Sequence, residues 1–190
     1  MPPSIRHFLL GLALAAGPLH AAKPAPPPTA AEAKAAFLEA YKVFMHPRCM
    51  NCHPDGNRPL QGEDSHPHTQ NVVRGPSGEG VYALKCMNCH QTANVPGPGM
   101  PPGNPAWRLP PPEMPLVFQG RSPAALARQL KDPDQNGGLT LAQLLRHVAE
   151  DPLVKAGWNP GEGRPRPPIS QKAFARLMKR WIEGGAPAPE

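Results

Sequence analysis

Apolar residues recur at helical spacing in four parts of the chain. The first part is residues 31–45, where Phe37, Tyr41 and Phe44 fall on one side of a helix. Thr29 stands where an N-cap is expected, and Pro47 is expected to end the helix. The pattern predicts an N-terminal helix that buries an aromatic face.

The other three predicted helices lie in the C-terminal part of the chain. Ser122 is the predicted N-cap of a helix that runs to about Lys131. Thr140 is the predicted N-cap of a helix that ends before Pro152, and Ser170 is the predicted N-cap of a helix that ends at Gly184. The residues expected to face inward are Leu126 and Leu130 in the first of these helices, Leu141, Leu144, Leu145 and Val148 in the second, and Phe174, Leu177, Met178 and Trp181 in the third.

Two long segments lack any helical period. Residues 55–80 are polar and contain glycine, so we expect an irregular loop. Residues 95–115 contain nine prolines and three glycines, which excludes a helix or a central strand. The predicted fold is therefore mainly α with long irregular Pro/Gly-rich loops.

The pentapeptide Cys-Met-Asn-Cys-His occurs twice, at residues 49–53 (the first motif) and 86–90 (the second motif), and includes every cysteine. Two thiols at this spacing can bond to the two vinyl groups of a haem, and the following histidine can bind its iron. We therefore expect two covalent haems and a cytochrome c-like domain. The predicted attachment residues are Cys49, Cys52, Cys86 and Cys89, and the predicted proximal ligands are His53 and His90.

Three other interpretations account for the cysteines but not for the histidines. They are a thioredoxin-like dithiol, a four-cysteine zinc site and a pair of disulfides. For zinc, the 33 residues between Cys52 and Cys86 exceed the about 15 to 20 that a compact zinc ribbon uses.

The N-terminus resembles a secretory signal peptide. Arg6 and His7 precede an apolar stretch at residues 8–16, and a small-residue cleavage site ends at Ala22. The apolar stretch is much shorter than the about 20 residues that a spanning helix needs. We expect a signal peptide at residues 1–22, a Pro-rich lead at 23–30, a dihaem domain at 31–190, export to the periplasm and no membrane span after cleavage.

Composition supports a need for cofactors. The chain has 30 prolines and 18 glycines in 190 residues but few aromatic side chains to fill a core. Two haems would add apolar mass, so we expect the haem-free protein to be unfolded or molten. Without the predicted signal peptide the net charge is +5 (19 basic and 14 acidic residues), which four haem propionates would largely offset, and no basic run with interleaved aromatics indicates nucleic acid.

The distal ligand of the first haem is predicted to be His68, which lies in an irregular loop. His66 and His46 are the alternatives, and a solvent-exposed loop histidine is the competing interpretation of each.

The distal ligand of the second haem is predicted to be Met114, since residues 114–120 resemble the distal methionine loop of class I cytochromes c. Met100 is the close alternative, and either methionine could instead fill a gap in a core. His147 lies to one side of its helix's apolar stripe, which favours a surface position.

Residues 132–143 partly match a calcium loop. Asp132, Asp134 and Asn136 fit positions 1, 3 and 5, but Gln143 stands where a bidentate glutamate is required. We expect a helix-breaking turn rather than a calcium site.

Several runs resemble a family of small bacterial periplasmic cytochromes c that are labelled as isoquinoline 1-oxidoreductase subunits. They are residues 68–75, the second motif, and residues 100–107, 129–133, 136–138 and 157–161. The resemblance implies redox protein partners, namely a molybdenum hydroxylase-type dehydrogenase as donor and a cytochrome or oxidase as acceptor. A cysteine that often stands near the C-terminus of such proteins is absent at residues 185–189.

We therefore expect an electron carrier rather than an enzyme. The alternative is a haem-based ligand sensor or a small peroxidase-like enzyme with one open iron.

Overall fold

A computed structural model describes residues 26–190, so the predicted signal peptide lies outside the described residues. The fold is mixed: about 38% of the described residues are helical and very few are in strands. Within residues 26–190, no helix is long and apolar enough to cross a membrane.

The two longest helices pack against each other. Helix α1 (Ala30–Phe44) starts at the predicted N-cap, where the side chains of Thr29 and Glu32 form a capping box. The last helix, α7 (Gln171–Glu183), starts at Ser170. Phe37 and Trp181 are fully buried between them, with ring centroids 4.8 Å apart.

Two further helices complete the core, as the sequence predicted. Helix α3 (Pro123–Lys131) begins after Ser122, and helix α5 (Leu141–Glu150) begins after Thr140, whose capping box uses Gln143. Apolar faces of the four helices meet in one cluster, which we call the main core. Its larger members are Phe37, Val43, Phe44, Phe118, Leu126, Leu130, Leu144, Val148, Phe174, Met178 and Trp181.

Three short helices were not predicted from the sequence. They are α2 (Pro47–Met50), α4 (Pro133–Asn136) and α6 (Pro152–Ala156), and each has proline at its start. We had expected Pro47 and Pro152 only to stop the preceding helices. Proline also suits the first turn of a helix, because its missing N–H would have no helical partner there.

Residues 54–115, which we call the inserted segment, leave the helical part and return to the same place. The carbonyl of His53 accepts hydrogen bonds from the N–H groups of Phe118 and Gln119, at 2.9 and 3.2 Å. The segment contains two antiparallel hairpins, β1 (Leu60–Gln61) with β2 (His66–Pro67) and β3 (Gly80–Val81) with β4 (Leu84–Lys85). The first hairpin gives residues 55–80 more order than the expected irregular loop.

The inserted segment has almost no apolar core. Of the 19 buried hydrophobic residues among residues 26–190, only Leu60 and Leu109 belong to it, and none of its residues joins the main core. Its other buried side chains include Arg74 and Asn104, which are polar. Backbone and polar hydrogen bonds therefore hold this segment together.

Candidate functional site

The first motif begins in helix α2. Cys49 packs against the main core, and Cys52 is also partly buried. Burial raises the pKa of the Cys49 thiol to about 12 and that of Cys52 to about 11. Both cysteines, like those of the second motif, are free thiols.

The imidazole of His53 is held from two sides. Its Nδ1 donates a hydrogen bond to the Leu116 carbonyl at 2.8 Å, and its ring stacks on Phe118 with centroids 3.9 Å apart and planes at 17°. Burial lowers the pKa of His53 to about 4, so the ring is neutral near pH 7. The lone pair of Nε2 is then available to a metal.

The second motif opens with a 3-10 turn, Cys86–Asn88, and its histidine is held in the same way. Nδ1 of His90 donates to the Pro102 carbonyl at 2.8 Å, and the ring stacks on Trp107 with centroids 4.1 Å apart and planes at 8°. Burial lowers the pKa of His90 and raises that of the Cys86 thiol. Cys89 is exposed, so the second motif lies nearer the solvent than the first.

These donor sets fit covalent haem. A histidine that binds a metal through Nε2 commonly donates its Nδ1 proton to a backbone carbonyl, which fixes both its tautomer and its orientation. His53 and His90 both have this arrangement, and each follows two free thiols.

The two motifs lie close together. Asn51 of the first motif bonds to the first hairpin, and the ring of His68, which follows that hairpin, lies with its centroid 6.3 Å from that of His90 in the second motif. Cofactors bonded at these positions would also be neighbours.

Arg74 is a buried cation beside the first motif. It is 1% exposed, and its guanidinium donates to the carbonyls of Gly56, at 2.8 Å, and Pro110. None of the ion pairs among residues 26–190 includes it. Burial lowers the pKa of Arg74, and its charge helps to lower that of His53. A carboxylate of a bound cofactor could neutralise this charge.

His68 lies against the second motif, whereas the sequence assigned it to the first haem. Its ring centroid is 6.3 Å from that of His90, with the ring planes at 69°. Its Nδ1 is buried and has no hydrogen-bond partner.

The two alternative histidines have partners of their own. Nδ1 of His66 bonds to Asp64 at 2.6 Å, and Nδ1 of His46 accepts a hydrogen bond from the N–H of Arg48 at 3.2 Å as the N-cap of α2.

Met114 stays a predicted ligand. It is partly buried beside Gly137, at 4.0 Å from the point where a Cβ would stand on that glycine. Met100 is 42% exposed. The side chain of His147 is 41% exposed and lies 3.5 Å from Asp151, in keeping with the predicted surface position.

The calcium-like segment forms a turn between helices. The carboxylate of Asp132 accepts the N–H of Asp134, the buried Asn136 bonds to the carbonyls of Leu130 and Leu139, and Gln143 belongs to the cap of α5. Asp132, Asn136 and Gln143 of the calcium pattern thus bond within the protein.

Sequence reasoning missed the residues that orient the two histidines. Leu116, Phe118, Pro102 and Trp107 all lie in runs that were singled out for their methionines or for the resemblance. In the sequence, Phe118 follows Met114 and Trp107 follows Met100 within a few residues. This spacing does not show which histidine each aromatic ring contacts.

Comparison of the chain with protein-family models, with curated proteins and with solved structures finds no match.

Proposed function

We propose that this protein is an exported dihaem c-type cytochrome that carries electrons in the periplasm. Cys49 and Cys52 would attach one haem and Cys86 and Cys89 the other, with His53 and His90 as proximal ligands. When bound, each haem supplies a centre for one-electron oxidation and reduction.

The observation that carries the proposal is the matching environment of the two motif histidines. Each ring donates Nδ1–H to a backbone carbonyl at 2.8 Å and stacks on an aromatic ring, although the carbonyls and aromatics come from different segments. A dithiol or a disulfide gives no reason for orienting both histidines in this way.

The proximity of the motifs supports electron transfer within the chain. The first hairpin links the two motifs, and the exposed Cys89 would bring the second haem towards the solvent. The resemblance to periplasmic cytochromes adds a molybdenum hydroxylase-type dehydrogenase as the proposed donor and a cytochrome or oxidase as the proposed acceptor.

The test is to express the full chain in a bacterium with haem-attachment machinery and to count haems as pyridine haemochromes. We expect two covalent haems, low-spin in both oxidation states, in a periplasmic protein that starts near Lys23. Cys86→Ser with Cys89→Ser should carry one. A wild-type protein without covalent haem would refute the proposal, and high-spin iron that binds carbon monoxide would favour the sensor or enzyme alternative.

A further inference from the structure

Two imidazole rings lie next to each other at the second motif. The ring centroids of His68 and His90 are 6.3 Å apart, and the planes are inclined at 69°. A bond between imidazole nitrogen and a metal is about 2 Å long, so two imidazoles on opposite sides of one metal ion have ring centroids about 6 Å apart. The observed spacing matches such a pair.

An edge-to-face aromatic contact can have a similar spacing, with centroids about 4.5 to 7 Å apart. The hydrogen bonding of His68 favours a ligand instead. Its Nδ1 is buried without a hydrogen-bond partner, and Gln70 is the side chain that acts on the ring as a hydrogen-bonding neighbour. A buried nitrogen without a partner is costly, and a metal bound at that nitrogen would remove the cost.

The first hairpin holds His68 in this place. The N–H of Leu60 donates to the Asn51 carbonyl at 2.9 Å, and the Asn51 amide donates to the Gly62 carbonyl at 3.0 Å. The N–H of His68 then donates to the Pro59 carbonyl at 3.0 Å. A hairpin fixed to the first motif thus presents a histidine to the second motif.

We propose that His68 is the distal ligand of the second haem, opposite His90. This inference rests on the proposed function, because it requires a haem on Cys86 and Cys89. It replaces the sequence-based assignment of His68 to the first haem and of Met114 to the second. Two histidine ligands give a lower reduction potential than histidine with methionine, so the second haem would be a low-potential centre.

The experiment compares His68→Ala with His66→Ala in the full chain. His66 is the matched control, because it is a histidine of the same hairpin whose ring is bound to Asp64. We expect the wild-type protein and His66→Ala to bind no carbon monoxide, and His68→Ala to bind one molecule per chain in the reduced state. Added imidazole should restore the low-spin spectrum of His68→Ala.

The haem concerned is identified in single-haem chains. With Cys49→Ser and Cys52→Ser only the second haem is attached, and His68→Ala should open it to carbon monoxide. If the open site appears only in the chain with Cys86→Ser and Cys89→Ser, His68 serves the first haem, and the inference is wrong while the proposed function stands.

Further outcomes separate the two proposals. Two covalent haems with no effect of His68→Ala would overturn the ligand assignment alone, whereas a wild-type chain without covalent haem would overturn both. If His68→Ala cannot be isolated, His68→Met decides the matter. A new methionine-to-iron charge-transfer band in the single-haem chain supports the assignment, and an unchanged spectrum contradicts it.

Discussion

Loss of the second haem should unfold the inserted segment and leave the helical core intact. The change is Cys86→Ser with Cys89→Ser, which removes both thioether bonds of that haem. Leu60 and Leu109 are the segment's only buried hydrophobic residues among those described. Together they contribute about 3 to 6 kcal/mol, which offsets the ordering of only a few residues at about 1 to 2 kcal/mol each.

Hydrogen exchange measured by mass spectrometry is the assay. In the variant, amides of residues 54–115 should open with free energies below about 2 kcal/mol, as in mobile loops. Helices α1 and α7 should retain their opening free energies to within about 1 kcal/mol, since their contacts lie in the main core, which contains no residue of the segment.

The matched control is Cys49→Ser with Cys52→Ser. Cys49 packs against the main core, so loss of the first haem should lower protection in the helices. The reasoning is refuted if α1 and α7 lose as much protection as residues 54–115 when only the second haem is removed.

Three other changes test the packing and the polar contacts. Phe37→Ala should lower the free energy of unfolding by about 3 to 5 kcal/mol in guanidinium titrations, because the ring is fully buried. Leu38 lies on the same helix and is 42% exposed, so Leu38→Ala should change that free energy by less than about 1 kcal/mol. Arg74→Leu should lower the free energy of unfolding by about 1 to 3 kcal/mol, because it leaves two carbonyls unpaired. Voltammetry should also show a lower reduction potential for the proposed first haem, because a nearby positive charge is lost. Thr140→Ala should lower the free energy of unfolding by about 1 kcal/mol through loss of the α5 capping box, with Thr92→Ala, in an exposed loop, as the control.

Each of these expectations has a clear contradiction. Equal effects of Phe37→Ala and Leu38→Ala would mean that the two long helices do not bury the Phe37 ring. An unchanged potential in Arg74→Leu would place its charge away from the first haem. A Thr140→Ala protein as stable as the wild type would show that the cap contributes nothing.

The four main helices could be predicted because their signals are local. Thr29, Ser122, Thr140 and Ser170 all act as N-caps, as expected, and the apolar spacing gives the buried faces. The hairpins could not be predicted, since strands of two residues are too short to show alternation. The short helices were missed because proline can either end a helix or begin one.

The candidate site was predictable where chemistry fixes the spacing. The repeated pentapeptide predicts the thiols and the proximal histidines. It does not predict that His68 lies beside His90, because that position depends on how the first hairpin is attached to Asn51. The carbonyls of Leu116 and Pro102 were also out of reach, since any residue can supply a carbonyl.

The hydrogen bonds that join His53 to Phe118 and Gln119 have a consequence for how this protein can vary. Because the chain departs and returns at one point, residues 54–115 behave as a cassette that could be excised and closed by a short turn. The shortened chain would keep Leu116 and Phe118, and hence both supports of the His53 ring. The proposed first haem site would then stay with the helical part, and the proposed second site could be lost or exchanged without changes to that part.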